Sequence, residues 1–132
     1  MLGSATTVLI VDDNSLLRST LRSFLERDQE INVCGEAADG ADAVEKANAL
    51  KPGLILMDLA MPKMNGLQAA RAIKRAMPEA RIVMFTLYSE TVGKLAESAW
   101  GIDLVVPKSE GVDGLLRALR PFLEDNDSRA VH

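Results

Sequence analysis

"LILMDLAMP" (residues 54–62) is the stretch that decides the fold. An unbroken apolar run, Leu54 to Met57, meets a single carboxylate at Asp58, and Pro62 follows four residues later. A run without apolar–polar alternation reads as a strand covered on both faces, which is how strands of parallel sheets are buried. A charged group placed directly at the end of such a strand calls for a chemical reason, because carboxylates seldom lie against a core without a partner.

Four more runs of strand length and β-branched composition flank it: "TVLIV" (7–11), "INVCGEA" (31–37), "RIVMF" (81–85) and "IDLVV" (102–106). Segments of helical period lie between them. The first places Leu17, Leu21, Phe24 and Leu25 on one face, with Asn14 or Ser15 as cap. The second runs from about 40 to 50 behind Asp39 and stops before Pro52; the third runs from about 66 to 77 and stops at Pro78. The fourth spans about 90–99 and ends at Gly101, and the fifth carries the stripe Val112, Leu115, Leu116, Leu119, Phe122 and Leu123. The pattern is (βα)5. It predicts an α/β fold: a doubly wound, five-stranded parallel sheet in the flavodoxin-like order 2-1-3-4-5. Residues 1–6 read as a flexible amino terminus, 7–124 as one domain, and 125–132, "DNDSRAVH", as a flexible, frayed tail.

Composition narrows the function. With 132 residues, 48% of them apolar, the chain has material for one core. A net charge of −4 argues against a nucleic-acid surface and against docking on an anionic membrane. No apolar run has the length of a membrane span and no basic-then-apolar leader opens the chain, so a cytoplasmic protein is expected. Cys34 stands alone and reads as a buried, inert thiol.

Ligands of open parallel sheets bind beyond the carboxyl ends of the strands, where the strand order reverses. Asp12 and Asp13 follow the first run, Asp58 the third, Thr86 the fourth and Lys108 the fifth. Two carboxylates about 4 Å apart repel by roughly 1 kcal/mol in water and about 4 at an effective dielectric of 20. Three in one cleft therefore invite protonation or a cation. Oxygen donors without His or Cys suit a hard ion, most commonly Mg²⁺. Lys108 and Thr86 add a positive charge and a hydroxyl, which together describe a pocket for a phosphoryl group, with Asp58 available as a nucleophile.

Those residues sit in "VLIVDDNSLLR" (8–18), "LILMDLAMPKMNG" (54–66), "VMFT" (83–86) and "VVPKS" (105–109). Over residues 7 to 124 the chain resembles the receiver domain of a two-component response regulator. The resemblance implies that Asp58 accepts phosphate from a histidine kinase or phosphotransfer protein. It implies that Asp12, Asp13, Asp58 and the backbone carbonyl of Ala60 hold Mg²⁺, with Mn²⁺ able to substitute. Thr86 and Lys108 would bind the phosphoryl oxygens, and the surface of the fourth helix, fifth strand and fifth helix would dock a second copy or a downstream protein. On this reading the domain is not an enzyme beyond its own phosphorylation and dephosphorylation. "VCGEAADG" (33–40) is similar to receivers that usually carry a helix-turn-helix output domain. A receiver belonging to a DNA-binding regulator is one alternative. A small Mg²⁺-dependent phosphatase is another, though Ala60 stands where such enzymes need a second acid. A flavin or nucleotide binder on this fold is a third, disfavoured by the acidic "DDNS" loop.

Taken singly, the same residues have plainer readings. Asp12 and Asp13 suit a helix start, Asp58 a turn, Thr86 a strand end and Lys108 a solvated surface. Pro62 and Gly66 read as loop and helix-start devices, and the Met residues as filler. Trp100 reads equally as packing or as partner surface. His132 is terminal, so a phosphodonor must be another molecule. Three departures from the family pattern matter. Val105 occupies the place where an aromatic ring usually swings, which leaves Thr86, Tyr88 and Val105 as the switch candidates. Leu87 follows Thr86 where a small residue is common and is expected to restrict it. A cis peptide bond after Lys108 is expected by resemblance. With Ala60 and Tyr88 two residues beyond Asp58 and Thr86, loss of phosphate should be slow and partner-dependent.

Overall fold

The structure is a computed structural model that describes residues 5–96 and 100–131. Its elements are β1 (Thr6–Val11), α1 (Ser15–Leu25), β2 (Ile31–Ala37), α2 (Gly40–Leu50), β3 (Leu54–Met57), α3 (Gly66–Ala76), β4 (Arg81–Thr86), α4 (Ser89–Ala96), β5 (Leu104–Pro107), a 3₁₀ turn (Lys108–Glu110) and α5 (Gly111–Val131). All strand pairs are parallel, in the order β2-β1-β3-β4-β5. This is the flavodoxin-like arrangement expected from the sequence.

Successive side chains of a strand point to opposite faces, so each apolar strand feeds two cores. On one face Leu9, Val11, Ile55, Met57, Ile82 and Met84 meet α2, α3 and α4 through Ala43, Ala47, Ala70, Ile73 and Val92. On the other, Val8, Ile10, Leu54, Leu56, Val83 and Phe85 meet α1 and α5 through Leu21, Leu25, Leu115, Leu119 and Leu123. Sequence spacing therefore places three helices on one side and two on the other.

The helix ends follow from local chemistry. Asn14 caps α1 by accepting from Leu17 N–H, Asp39 caps α2, and Asn65 with Gln68 forms a reciprocal capping box on α3. β2 is an edge strand whose register slips by one residue opposite Val8 and Leu9, which leaves Cys34 unpaired in the ladder. Cys34 is half-buried, not fully buried as the apolar run suggested; its thiol donates to Val8 O, and burial pushes its pKa up. α5 takes in residues 125–131, which the sequence reading set apart as a tail; "DNDSRAV" contains no Gly or Pro to stop it. The fourth helix is described over Ser89–Ala96, and the expected residues 97–99 lie outside the described residues. No cis peptide bond occurs among the described residues. The expected cis bond after Lys108 is thus corrected: Lys108 and Ser109 lie in the 3₁₀ turn, and a cis bond without proline costs about 3 kcal/mol.

Candidate functional site

The site is a consequence of register. Val11 pairs with Met57, so the next residues, Asp12 and Asp58, leave adjacent strands side by side. The ladder runs on past the strand ends: Asp58 N–H donates to Val11 O at 3.1 Å, and Asp12 N–H to Ala37 O at 3.1 Å. Both acids are buried, Asp12 3% and Asp58 7% exposed. β5 is farther along the sheet, but the turn after Pro107 brings Lys108 back across the strand ends. Its ammonium donates to Asp12 Oδ2 at 2.9 Å and to Asp58 Oδ2 at 3.0 Å. The second oxygen of each acid accepts a backbone N–H, from Asn14 at 2.9 Å and from Leu59 at 2.7 Å.

Burial by itself would push the Lys108 pKa down. Hydrogen bonds and charge attraction from Asp12 and Asp58 outweigh it, so the pKa stands above the ordinary lysine value. Lys108 is therefore a cation at neutral pH.

Asp13 is exposed, yet one carboxylate oxygen from each of Asp12, Asp13 and Asp58 lies within 4.8 Å of the others. Three carboxyl groups converge on one ammonium. The donor set is oxygen alone, and Asp13 leaves one side of the cluster exposed. The residues present fit a hard ion such as Mg²⁺.

The remaining predicted residues take defined places. Thr86 is fully buried at the end of β4, pairs across the strands with Pro107, and accepts Tyr88 N–H at 3.1 Å through its hydroxyl. Tyr88 is 51% exposed, at the start of α4. Leu87 is 75% exposed. Val105 is half-buried and packs into the core on the α2–α4 side. Ala60 is exposed in the loop after Asp58. That loop is anchored: Leu59, Met61 and Met64 pack on the core, and Gly66 N–H donates to Leu59 O at 2.8 Å.

Two features escaped the sequence reading. Gly66 is more than a helix start, since a Cβ there would stand 2.2 Å from Asp58 O. Arg18 donates to Asp12 O at 2.6 Å and to Glu36 Oε1 at 3.0 Å, while Arg22 holds Glu36 Oε2 at 2.9 Å. The available signal was the spacing of Arg18 and Arg22, which puts two guanidiniums on one helix face, together with Glu36 as the sole acid of β2. Trp100 is half-buried against the core, with the Arg71 guanidinium 5.6 Å above its ring.

Comparison with known proteins agrees with this geometry. The sequence profile described as the response regulator receiver domain matches residues 8–120. The chain is 38% identical over 113 residues to the response regulator protein VraR of Staphylococcus saprophyticus, covering 86% of this chain and 54% of that protein. VraR of Staphylococcus aureus is 36% identical, with the same coverage. The chain thus spans about half the length of the curated relatives it matches. Among solved structures, a LuxR-family two-component response regulator from an Aurantimonas species aligns with a TM-score of 0.83 and 31% identity, over 92% of this chain and 87% of that one. The response regulator domain of Thermotoga maritima CheB aligns with a TM-score of 0.73 and 31% identity, over 96% of both chains. No helix among the described residues is long and apolar enough to cross a membrane.

Proposed function

The chain belongs to the response regulator receiver domain family, and on that premise we propose that Asp58 is its phosphoryl acceptor and that Asp12, Asp13, Asp58 and the Ala60 carbonyl form its Mg²⁺ site. The observation that carries this reading is the convergence of the three carboxylates with Lys108 shared between Asp12 and Asp58.

The chemistry follows from the charges. A carboxylate oxygen of Asp58 attacks the phosphorus of a phosphohistidine on a kinase or phosphotransfer protein. The O–P bond forms as the N–P bond breaks, and the departing imidazole takes up a proton from solvent. Bound Mg²⁺ supplies positive charge that lets an anionic phosphoryl group enter a cleft lined by acids. Before transfer Lys108 holds Asp58 in place. Afterwards the carboxylate charge at Asp58 is gone, and the Lys108 ammonium turns to the new phosphoryl oxygens. Thr86 exchanges its Tyr88 N–H contact for donation to the same group, which couples arrival of phosphate to the start of α4.

The output surface on this reading is the face of α4, β5 and α5, where a second copy or a downstream protein docks. The domain catalyses only the gain and loss of its own phosphate. The absence of a polar side chain at Ala60 and the bulk of Tyr88 favour slow hydrolysis, so Tyr88→Ala should shorten the phosphate lifetime. An unchanged lifetime would remove Tyr88 from that role.

Two observations favour a second reading, in which the receiver works through a DNA-binding output domain: the matched VraR proteins are about twice as long as the match, and the Aurantimonas structure is of the LuxR family. Sequencing the reading frame past His132 decides it.

The test of the primary reading is incubation with acetyl phosphate and Mg²⁺, followed by intact and peptide mass spectrometry. One added phosphoryl group on the peptide containing Asp58, lost in Asp58→Asn and without Mg²⁺, is expected. Phosphate elsewhere, or turnover of phosphomonoesters, contradicts it.

A further inference from the structure

We propose that Arg18 is a positioning residue for the cation site: its guanidinium fixes the peptide between Asp12 and Asp13 and so aims the Asp13 carboxylate at the other two acids. The inference rests on the cation reading above.

The three acids are held unequally. The carboxylates of Asp12 and Asp58 each have a backbone N–H on one oxygen and Lys108 on the other. Asp13 is exposed, and on this inference its direction comes from the backbone that carries it. A peptide group is planar, so an anchor on the Asp12 carbonyl also fixes the position of the Asp13 Cα. That anchor is Arg18 Nη1, at 2.6 Å from Asp12 O. The guanidinium is itself braced: its Nε donates to Glu36 Oε1 at 3.0 Å, and Arg22 grips the other oxygen of the same carboxylate at 2.9 Å. The Arg18 side chain is 18% exposed. The brace therefore runs from β2 through two arginines of α1 to the peptide between two proposed metal ligands. Groups that orient ligands without touching the ion commonly matter to affinity by roughly 10-fold or more.

Charge and positioning predict opposite signs, which makes the inference testable. Arg18 is a cation near a cation site. By Coulomb repulsion alone, its removal should tighten divalent binding. If it aims Asp13, removal should loosen it. The probe is Mn²⁺, titrated into the full chain and followed by the electron paramagnetic resonance signal of the free ion, with Mg²⁺ as competitor. Thermal unfolding without divalent ions is recorded alongside. Arg18→Ala is expected to bind Mn²⁺ roughly 10-fold more weakly than the unaltered chain. A purely structural role lowers the melting temperature and leaves affinity unchanged, and that result overturns the inference, as does tighter binding. Should Arg18→Ala fail to give a folded circular dichroism spectrum, Arg18→Lys is read by the same criterion. It keeps the charge but loses the two-pronged grip, so weaker binding supports the inference and unchanged binding overturns it. Failure of the unaltered chain to bind Mn²⁺ at all is distinguishable, because the cation reading then falls first and takes the inference with it.

Discussion

At the scale of single residues the site is a problem in charge balance, and Lys108 is its pivot. Replacing it by Met leaves Asp12 and Asp58, only 3% and 7% exposed, without their shared counter-charge. Removing one partner of a buried ion pair costs about 3 kcal/mol. Urea unfolding of Lys108→Met at pH 7 without divalent ions should show a loss of that order, shrinking when Mg²⁺ is added. Equal midpoints with and without the substitution would mean that the ion pairs do not matter to stability. Because the folded pKa of Lys108 is raised, its contribution is fully present below the ordinary lysine value of about 10.4 and is lost only as pH rises through the higher folded value. Glu36 works in the other direction. Its hydrogen bond from Arg22 leads the causes that hold its carboxyl below the usual range, against the cost of burial. Its contribution is fully present above the ordinary value of about 4.3 and is lost as pH falls through the lowered folded one. The stability difference between the unaltered chain and Glu36→Gln should therefore be constant near neutrality and vanish on acidification below that window. A difference that persists at the acid end would show that shape, not charge, is what Glu36 supplies. Asp12, Asp58, Thr86 and Lys108 were legible in the sequence because each ends or directly follows an apolar run, and a parallel sheet puts all such positions at one end. Arg18 and Glu36 were not, since a helix face and an edge strand meet only in three dimensions and neither residue belongs to a motif.

At the scale of elements, strands were read almost to the residue, because buried parallel strands are unbroken apolar runs. The first two helix starts are legible at Asn14 and Asp39, whose side chains accept the first free N–H groups; the Asn65 cap of α3 emerges only in the structure. Sequence and structure differ where no local signal exists: the last apolar run covers 102–106, whereas β5 is Leu104–Pro107, paired with Val83 to Thr86 of β4. The sequence could not show how closely α3 approaches the loop after Asp58. Gly66→Ala places a Cβ 2.2 Å from Asp58 O, a backbone atom that cannot turn aside. Overpacking of this kind costs about 1–3 kcal/mol, and it should also disturb Asp58. Gly93, in α4, is the control: a Cβ there meets nothing within 4 Å among the described residues. Gly93→Ala should stabilise by about 0.5–1 kcal/mol through helix propensity. Thermal unfolding of the two variants should move in opposite directions, and a neutral Gly66→Ala would show that the loop yields.

At the scale of the whole molecule, two cores of different composition support one polar end. The face under α2, α3 and α4 is rich in Ala and Met, and the face under α1 and α5 in Leu, Ile and Val. Lys108 links one edge of the sheet to its middle: it belongs to the turn after edge strand β5 and bonds the acids that directly follow β1 and β3, across β4. On this account phosphate shifts the population between two arrangements of the β4–α4 and β5–α5 connections, and it can do so only through the contacts that differ between them. On the same account the switch candidates are Thr86, the exposed Tyr88 and the half-buried Val105, with Lys108 as the ion that changes partner. The most direct measurement is a crystal structure of the chain with Mg²⁺ and beryllofluoride, which mimics a phosphoryl group on a carboxylate. The account predicts beryllofluoride on Asp58, contacted by Thr86 Oγ1 and Lys108 Nζ, with the metal among Asp12, Asp13, Asp58 and the Ala60 carbonyl. Beryllofluoride on any other residue, or a Lys108 still paired with Asp58 beside an empty acid cluster at saturating Mg²⁺, would contradict it.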